Sequence, residues 1–253
     1  MSFVRLIPTL ALKDGRIIKT VRFDEFRDVG HPKTMGKVFD SQDVDELIFT
    51  DITASQEGRE PDWESIRLFA EECAMPLTIG GGVKSVEHIR KLLQIGADKV
   101  TINSAAVKDP TFVTRASTMF GSQCIVISID AAARRQGAYE VMIEGGATAT
   151  GRDPVGWAKE CEKLGAGEIL ITSIDRDGTM QGYDLELIGM VANAVTIPVI
   201  ANGGAGLLVD LIDAATKTGA SAVACSSLFH FSDNKPIKAK AFLQDHGISV
   251  RPI

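Results

Sequence analysis

Short apolar runs alternate with amphipathic stretches along the whole chain. Apolar runs of four to eight residues bounded by turn signals read as strands. Apolar positions three and four apart read as helices. The pattern predicts strands near 4–12, 46–52, 76–80, 98–103, 124–130, 168–174, 197–202 and 221–226. It predicts helices near 32–42, 62–74, 85–95, 109–119, 153–164, 184–194, 207–217 and 235–245. A strand followed by a helix, eight times over, describes a parallel sheet closed into a (β/α)8 TIM barrel, an α/β fold. No Pro/Ser-rich linker divides the chain, so one domain is expected over 1–253. Two connections are long. Residues 13–31 open with the turn signal Lys13-Asp14-Gly15-Arg16, and residues 131–150 hold Tyr139-Glu140-Val141-Met142-Ile143 before Gly145-Gly146. Both follow a strand, so both are expected as hairpin flaps on the face where barrels keep their chemistry.

The pattern also repeats. Met75-Pro76-Leu77-Thr78-Ile79-Gly80-Gly81-Gly82 aligns with Ile197-Pro198-Val199-Ile200-Ala201-Asn202-Gly203-Gly204. After one inserted residue, Gly96-Ala97-Asp98 aligns with Gly219-Ala220-Ser221, and Asn103-Ser104 with Ser226-Ser227. Two half-barrel repeats account for this, and a ligand site in one half should have a counterpart in the other.

Composition narrows the function classes. The 253 residues are 45% hydrophobic, enough for a large core, and carry a net charge of −6. That charge argues against a nucleic-acid or membrane-surface role. No run of ~18 apolar residues and no cleavable leader is visible, which points to the cytoplasm. Cys73, Cys124, Cys161 and Cys225 are far apart in sequence and read as reduced thiols. No metal and no cofactor is assigned, since His31, His88, His230 and His246 form no metal-spaced set with them.

Candidate chemistry gathers at the C-terminal ends of the strands. Gly81 and Gly82 follow the third strand, Asn103 and Ser104 the fourth, Gly203 and Gly204 the seventh, and Ser226 and Ser227 the eighth. Glycines admit close approach of an anion, and a helix start points N–H groups at it. The arrangement occurs twice, which suggests a ligand phosphorylated at each end; tight turns that merely need glycine are the alternative. The sixth strand closes on Ser173-Ile174-Asp175-Arg176-Asp177-Gly178-Thr179. There Asp177 is expected to accept hydrogen bonds from substrate hydroxyls and Thr172 to hold a water, unless the segment is only a solvated turn. Asp51 ends the second strand. Lys19, on the first flap, is either a mobile phosphate or substrate contact or an ordinary surface lysine.

The fifth strand ends in a carboxylate, Asp130, where a barrel enzyme keeps its acid or base. The equivalent place on the first strand is Ala11, a methyl group. If Ala11 faces the barrel interior, so do Thr9, Ile7 and Arg5, with Arg5 roughly 20 Å away at the other mouth. Glu46, Lys99 and Glu168 also begin strands, and the four charges alternate in sign around the barrel. Buried charges require partners, so a closed ring is expected. Above it Thr50, Thr101, Asn103, Ser128 and Thr172 suggest a narrow polar passage, with the ring as its gate; a cluster that only stabilises the base is the alternative.

These residues carry a resemblance. The chain resembles the HisF family, the cyclase subunit of imidazole glycerol phosphate synthase, over essentially its whole length. The similarity lies in Lys13-Asp14-Gly15-Arg16, Asp51-Ile52-Thr53-Ala54-Ser55, Gly80-Gly81-Gly82, Gly96-Ala97-Asp98-Lys99-Val100, Ser173 to Thr179 and Leu228-Phe229-His230-Phe231. It implies a glutaminase subunit docked on the N-terminal face, and Asp98 matches a residue of that surface. It implies an ammonia gate matching Arg5, Glu46, Lys99 and Glu168. It further implies attack of ammonia on a bis-phosphorylated ribulosyl substrate, with aspartates on strands 1 and 5 as acid and base. This sequence keeps Asp130 and has Ala11 at the other position; it also has Thr9 where the family commonly has cysteine and Asn202 where it commonly has serine. Lys19 to Phe23, Gly58-Arg59-Glu60-Pro61 and Asp177 to Ile188 resemble a branch associated with glycosyl amidation, which also lacks the first aspartate. That branch implies a complex with a glutaminase-like protein and an ATP-dependent sugar amidotransferase, amidating an N-acetyl sugar for surface polysaccharide. A working histidine-pathway cyclase is the alternative, and a non-catalytic phosphosugar-binding regulator a third.

Overall fold

The structure is a computed structural model that describes residues 3–252, so the expected domain span of 1–253 runs past the described residues at both ends. Among them, twelve strands form one sheet. Eight are parallel and close on themselves in the order β1 (Arg5–Lys13), β4 (Leu47–Asp51), β5 (Leu77–Gly80), β6 (Lys99–Ile102), β7 (Ile125–Ala133), β10 (Glu168–Ser173), β11 (Val199–Asn202) and β12 (Ala222–Cys225). The (β/α)8 barrel expected from the alternation is therefore the fold. The two long connections are hairpins. β1 continues into β2 (Arg16–Val21) and β3 (Asp24–Gly30), and β7 into β8 (Tyr139–Ile143) and β9 (Thr148–Ala149).

Helices follow where the apolar period predicts, among them α1 (Pro32–Asp40), α2 (Trp63–Ala70), α3 (Val86–Ile95), α6 (Pro154–Lys163), α7 (Leu185–Ala192), α8 (Leu208–Lys217) and α10 (Pro236–Asp245). Their starts are set by local chemistry. Ser65, His88, Gly156 and Leu187 donate their backbone N–H groups to the side chains of Asp62, Ser85, Asp153 and Asp184, each typically worth about 1 kcal/mol. Proline opens α1, α6 and α10, where its missing N–H costs nothing. The expected helix near 109–119 is preceded by a separate short one: α4 (Ser104–Lys108) ends before α5 (Thr111–Phe120). Pro110 separates them, since the residue before a proline disfavours helical geometry.

Strand parity divides the core in two. Leu6, Leu10 and Leu12 point outward into the large layer between sheet and helices. Ile7 points inward and joins Ile48, Val126, Leu170, Ile200, Ala222 and Ala224 in a second, separate cluster inside the barrel. Polar groups lie above and below this inner layer.

Candidate active site

A cavity of ≈ 190 Å³ opens at the C-terminal ends of the strands, and both flaps reach its rim. Asp130 stands in its wall. Asn103 Nδ2 donates to its Oδ2 at 2.7 Å, and Ser128 Oγ to its Oδ1 at 3.4 Å. Burial pushes the carboxyl up to about 7, and the negative charge of Asp177 adds to the rise; the hydrogen bonds from Asn103 and Ser128 oppose it. Asp130 thus exchanges a proton near neutral pH. Ala11, Thr9 and Asn202 line the same cavity. Ala11 pairs with Thr50 on β4 and Ile18 on the first flap, and its methyl brings no proton-carrying group. Asn202 Nδ2 donates to Thr172 Oγ1 at 3.1 Å, so Thr172 is already engaged by a neighbour.

The two glycine turns have matching backbones. Gly81 and Gly203 adopt φ of 93° and 90°, and Gly82 and Gly204 of 69° and 112°. A Cβ on Gly81 would fall 2.0 Å from the Asp51 carbonyl, and on Gly203 2.8 Å from that of Ser173. Only glycine fits both the angle and the space. Ser104 begins α4, and Ser227 begins the similar one-turn helix α9 (Ser227–His230). The structure thus brings Gly81, Gly82, Asn103 and Ser104 to one side of the bowl, and Gly203, Gly204, Ser226 and Ser227 to the other. Their occupancy differs. Ser104 Oγ accepts the Glu144 N–H of the second flap at 3.0 Å, and Ser55 Oγ accepts the Gly82 N–H at 3.3 Å. Among the described residues Ser227 Oγ is buried without a partner, an arrangement that favours an incoming acceptor.

Three of the expected substrate contacts are committed within the protein. Lys19 is 6% exposed, which rules out an ordinary surface lysine. Its Nζ donates to Asp177 Oδ1 and Oδ2 at 3.2 and 3.1 Å, and Thr20 Oγ1 donates to Oδ2 at 3.1 Å. Asp177 is thus the anchor of the first flap before it is an acceptor for substrate hydroxyls. Gly178, at φ 72°, lets that flap approach, since a Cβ there would meet the Thr20 carbonyl at 2.0 Å. Asp51 is likewise engaged: Arg59 donates to both oxygens at 2.7 and 2.9 Å, and the Ala54 and Asp62 N–H groups add bonds at 3.2 and 3.0 Å. It organises the loop from 52 to 62, a role that the end of a strand does not announce.

At the N-terminal mouth the four expected charges close a ring. Arg5 donates to Glu46 at 2.7 Å and to Glu168; Lys99 donates to Glu46 at 2.8 Å and to Glu168 at 2.9 Å. Thr78 Oγ1 adds a bond to Glu46 Oε1 at 2.5 Å. Both glutamates are buried. Asp98 is exposed beside the ring, its carboxylate accepting the Leu77 N–H at 2.8 Å. The expected polar passage above the ring requires correction. The Ile7 cluster lies between the ring and the hydroxyls of Thr9, Thr50 and Thr101, so the axis runs polar, apolar, polar. The inward residues Ile48, Val126, Leu170 and Ile200 alternate with the outward ones and form a layer that the apolar pattern alone does not mark.

Other residues of the bowl were also missed. Phe23 and Phe26 of the first flap and Gly145 of the second line its rim. A Cβ on Gly146 would meet Phe23 at 3.2 Å, which places the two flap tips against each other. The alternating residues after Gly15 signal a hairpin but not which aromatic turns inward. Arg59, visible only as part of a motif, holds Asp51.

A family model described as "Histidine biosynthesis protein" matches residues 5–235, a span running from the first residue of the ring on β1 past both glycine turns. The match covers the barrel, the ring and the bowl together. The chain belongs to this family of histidine biosynthesis proteins, which includes HisF, and is a TIM-barrel enzyme of the HisA/HisF type.

Proposed function

We propose that this barrel conducts ammonia between its two mouths, as the synthase subunit of a glutamine-dependent amidotransferase complex. The observation that carries the reading is the closed ring of Arg5, Glu46, Lys99 and Glu168 beneath an apolar layer and a bowl with one proton-exchanging carboxylate. Ammonium cannot enter the Ile7 layer without losing its hydration, at a cost of many kcal/mol; neutral ammonia crosses at a far smaller cost. A glutaminase-like partner on the N-terminal face, around Asp98, supplies the ammonia. The bowl takes a phosphorylated small molecule, with one phosphate between Gly203–Gly204 and Ser226–Ser227 and a second at Gly81–Gly82 and Asn103–Ser104. Asp130 carries the single proton transfer available, because Ala11 provides no second group. Amidation of an N-acetyl sugar for surface polysaccharide, with an ATP-dependent sugar amidotransferase as third component, is the pathway that fits the missing acid. A test is to purify the barrel with its glutaminase and follow glutamine hydrolysis. Turnover that depends on the barrel is expected; a glutaminase indifferent to the barrel with every phosphosugar tried overturns the reading.

The titration of Asp130 near neutrality also favours a second reading, an imidazole glycerol phosphate synthase cyclase subunit in histidine biosynthesis. Loss of one acid–base group typically costs about 10²–10⁴ in rate. Complementation of a cyclase-deficient histidine auxotroph separates the two: rescue by the unmodified chain establishes the cyclase, whereas rescue by Ala11→Asp alone supports the first reading.

A further inference from the structure

Asp45 and Glu46 are consecutive residues that face opposite sides of the barrel wall. Glu46 turns inward to Arg5, Lys99 and Thr78. Asp45 turns outward, where its Oδ2 accepts the backbone N–H of Leu6 at 2.9 Å. Arg5 and Leu6 are consecutive too, so Asp45 binds the backbone directly beside the ring's arginine. Around Asp45 lies a second group of four charges. Lys240 of α10, its side chain wholly buried, places Nζ 3.0 Å from Asp45 and 3.3 Å from Asp43, and donates to the Asp43 carbonyl at 2.9 Å. Arg251 lies 3.1 Å from both carboxylates and donates to the Val44 carbonyl at 3.2 Å. Asp43 is held in the left-handed region at φ 50°, and Val4 donates its N–H to the Ser249 carbonyl at 2.8 Å. The last helix and the segment after it therefore clasp the loop that delivers Glu46 and the strand start that delivers Arg5.

We infer that Lys240 and Arg251 are positioning residues for the gate: through Asp43 and Asp45 they fix the backbone from which Arg5 and Glu46 meet. The inference rests on the ammonia-conducting reading for its functional meaning. A buried ion cluster is a poor source of stability, because hydrophobic side chains of similar volume serve as well or better. What it supplies is orientation: Lys240 and Arg251 donate to the Asp43 carboxylate and to the Asp43 and Val44 carbonyls along fixed lines, while Asp45 Oδ1 lies at ion-pair distance from both cations without a hydrogen bond among the described residues and Asp45 Oδ2 holds the Leu6 N–H. Glu46 has to reach two cations on separate strands at 2.7 and 2.8 Å, and only a fixed backbone holds both contacts.

The test uses the full chain and does not require the partner for its first arm. With 15N-arginine labelling, NMR exchange rates of the Arg5 guanidinium report whether both glutamates hold it. Arg251→Gln, at a half-exposed site that tolerates change, and Lys240→Arg, which keeps the charge, are compared with the parent and with Lys99→Ala. The expected result is that Arg251→Gln speeds Arg5 exchange by about tenfold with the melting temperature little changed, while Lys240→Arg stays close to the parent. A second arm measures, in the complex with the co-purified glutaminase, free ammonia released per glutamate formed; Arg251→Gln is expected to raise it. If Lys99→Ala leaks ammonia but Arg251→Gln neither speeds Arg5 exchange nor leaks ammonia, the positioning role is wrong and the conducting role stands. If Lys99→Ala leaks no ammonia, the conducting role itself is wrong.

Discussion

Lys19 Nζ lies 3.1 Å from Asp177 Oδ2, joining two residues 158 positions apart and tying the first flap to the turn after β10. Both are largely buried, so neither has water to fall back on. Removing one partner leaves an uncompensated charge. Asp177→Ala is expected to destabilise the protein by about 3–5 kcal/mol, and Lys19→Met with Asp177→Leu to recover most of that loss. Urea unfolding of the single and double variants checks it.

Asp130 makes stability depend on pH in a specific direction. Its carboxyl holds a proton up to about 7 in the folded protein, against ~4 in an unfolded chain. The folded state therefore binds the proton more tightly. The associated stability is complete below about pH 4 and is lost as pH rises towards 7. Asp130→Asn is expected to remove this loss, becoming more stable than the parent at pH 8 by about 2–4 kcal/mol. Denaturation midpoints of both proteins from pH 5 to 8 measure it, and parallel slopes contradict it.

Arg59 and Asp51 form a bidentate pair beneath a loop. Arg59→Ala is expected to behave like Asp51→Ala, with both lowering stability by several kcal/mol, since the carboxylate is buried and, among the described residues, the Arg59 guanidinium is the only side-chain cation bonded to it. A double-mutant cycle is expected to give a coupling above about 2 kcal/mol. Near-zero coupling would mean that Asp51 is free to act on ligand.

The glycine turns predict unequal tolerance. Gly81→Ala places a methyl 2.0 Å from a carbonyl, whereas Gly203→Ala meets one at 2.8 Å. Both are strained by positive φ, at about 1–3 kcal/mol each. Both must also displace a backbone carbonyl, the first by far more, so Gly81→Ala should lose more stability. Gly203→Ala should fold and weaken phosphate binding, which calorimetric titration with inorganic phosphate reads directly.

The barrel was legible because each strand carries its own signal. Alternation on β1 separates Leu6, Leu10 and Leu12 from Arg5, Ile7 and Thr9, and the turn residues mark the strand ends. The ring was legible because unlike charges at strand starts have nowhere else to go. What stayed hidden is set by contacts between distant segments. Nothing near Lys19 names Asp177 as its partner, and nothing near Asp51 reserves it for Arg59. The inner apolar layer stayed hidden for a different reason. Isoleucine and valine occupy both faces of these strands, so the inward members do not stand out from the outward ones.

That layer has a consequence for the two ends of the molecule. A plug of isoleucine, valine, leucine and alanine gives protons no hydrogen-bonded relay to follow. Acid generated at one mouth does not equilibrate through the axis with the other, so Asp130 titrates against the solvent above it and is insulated from whatever the salt-bridged mouth encounters below.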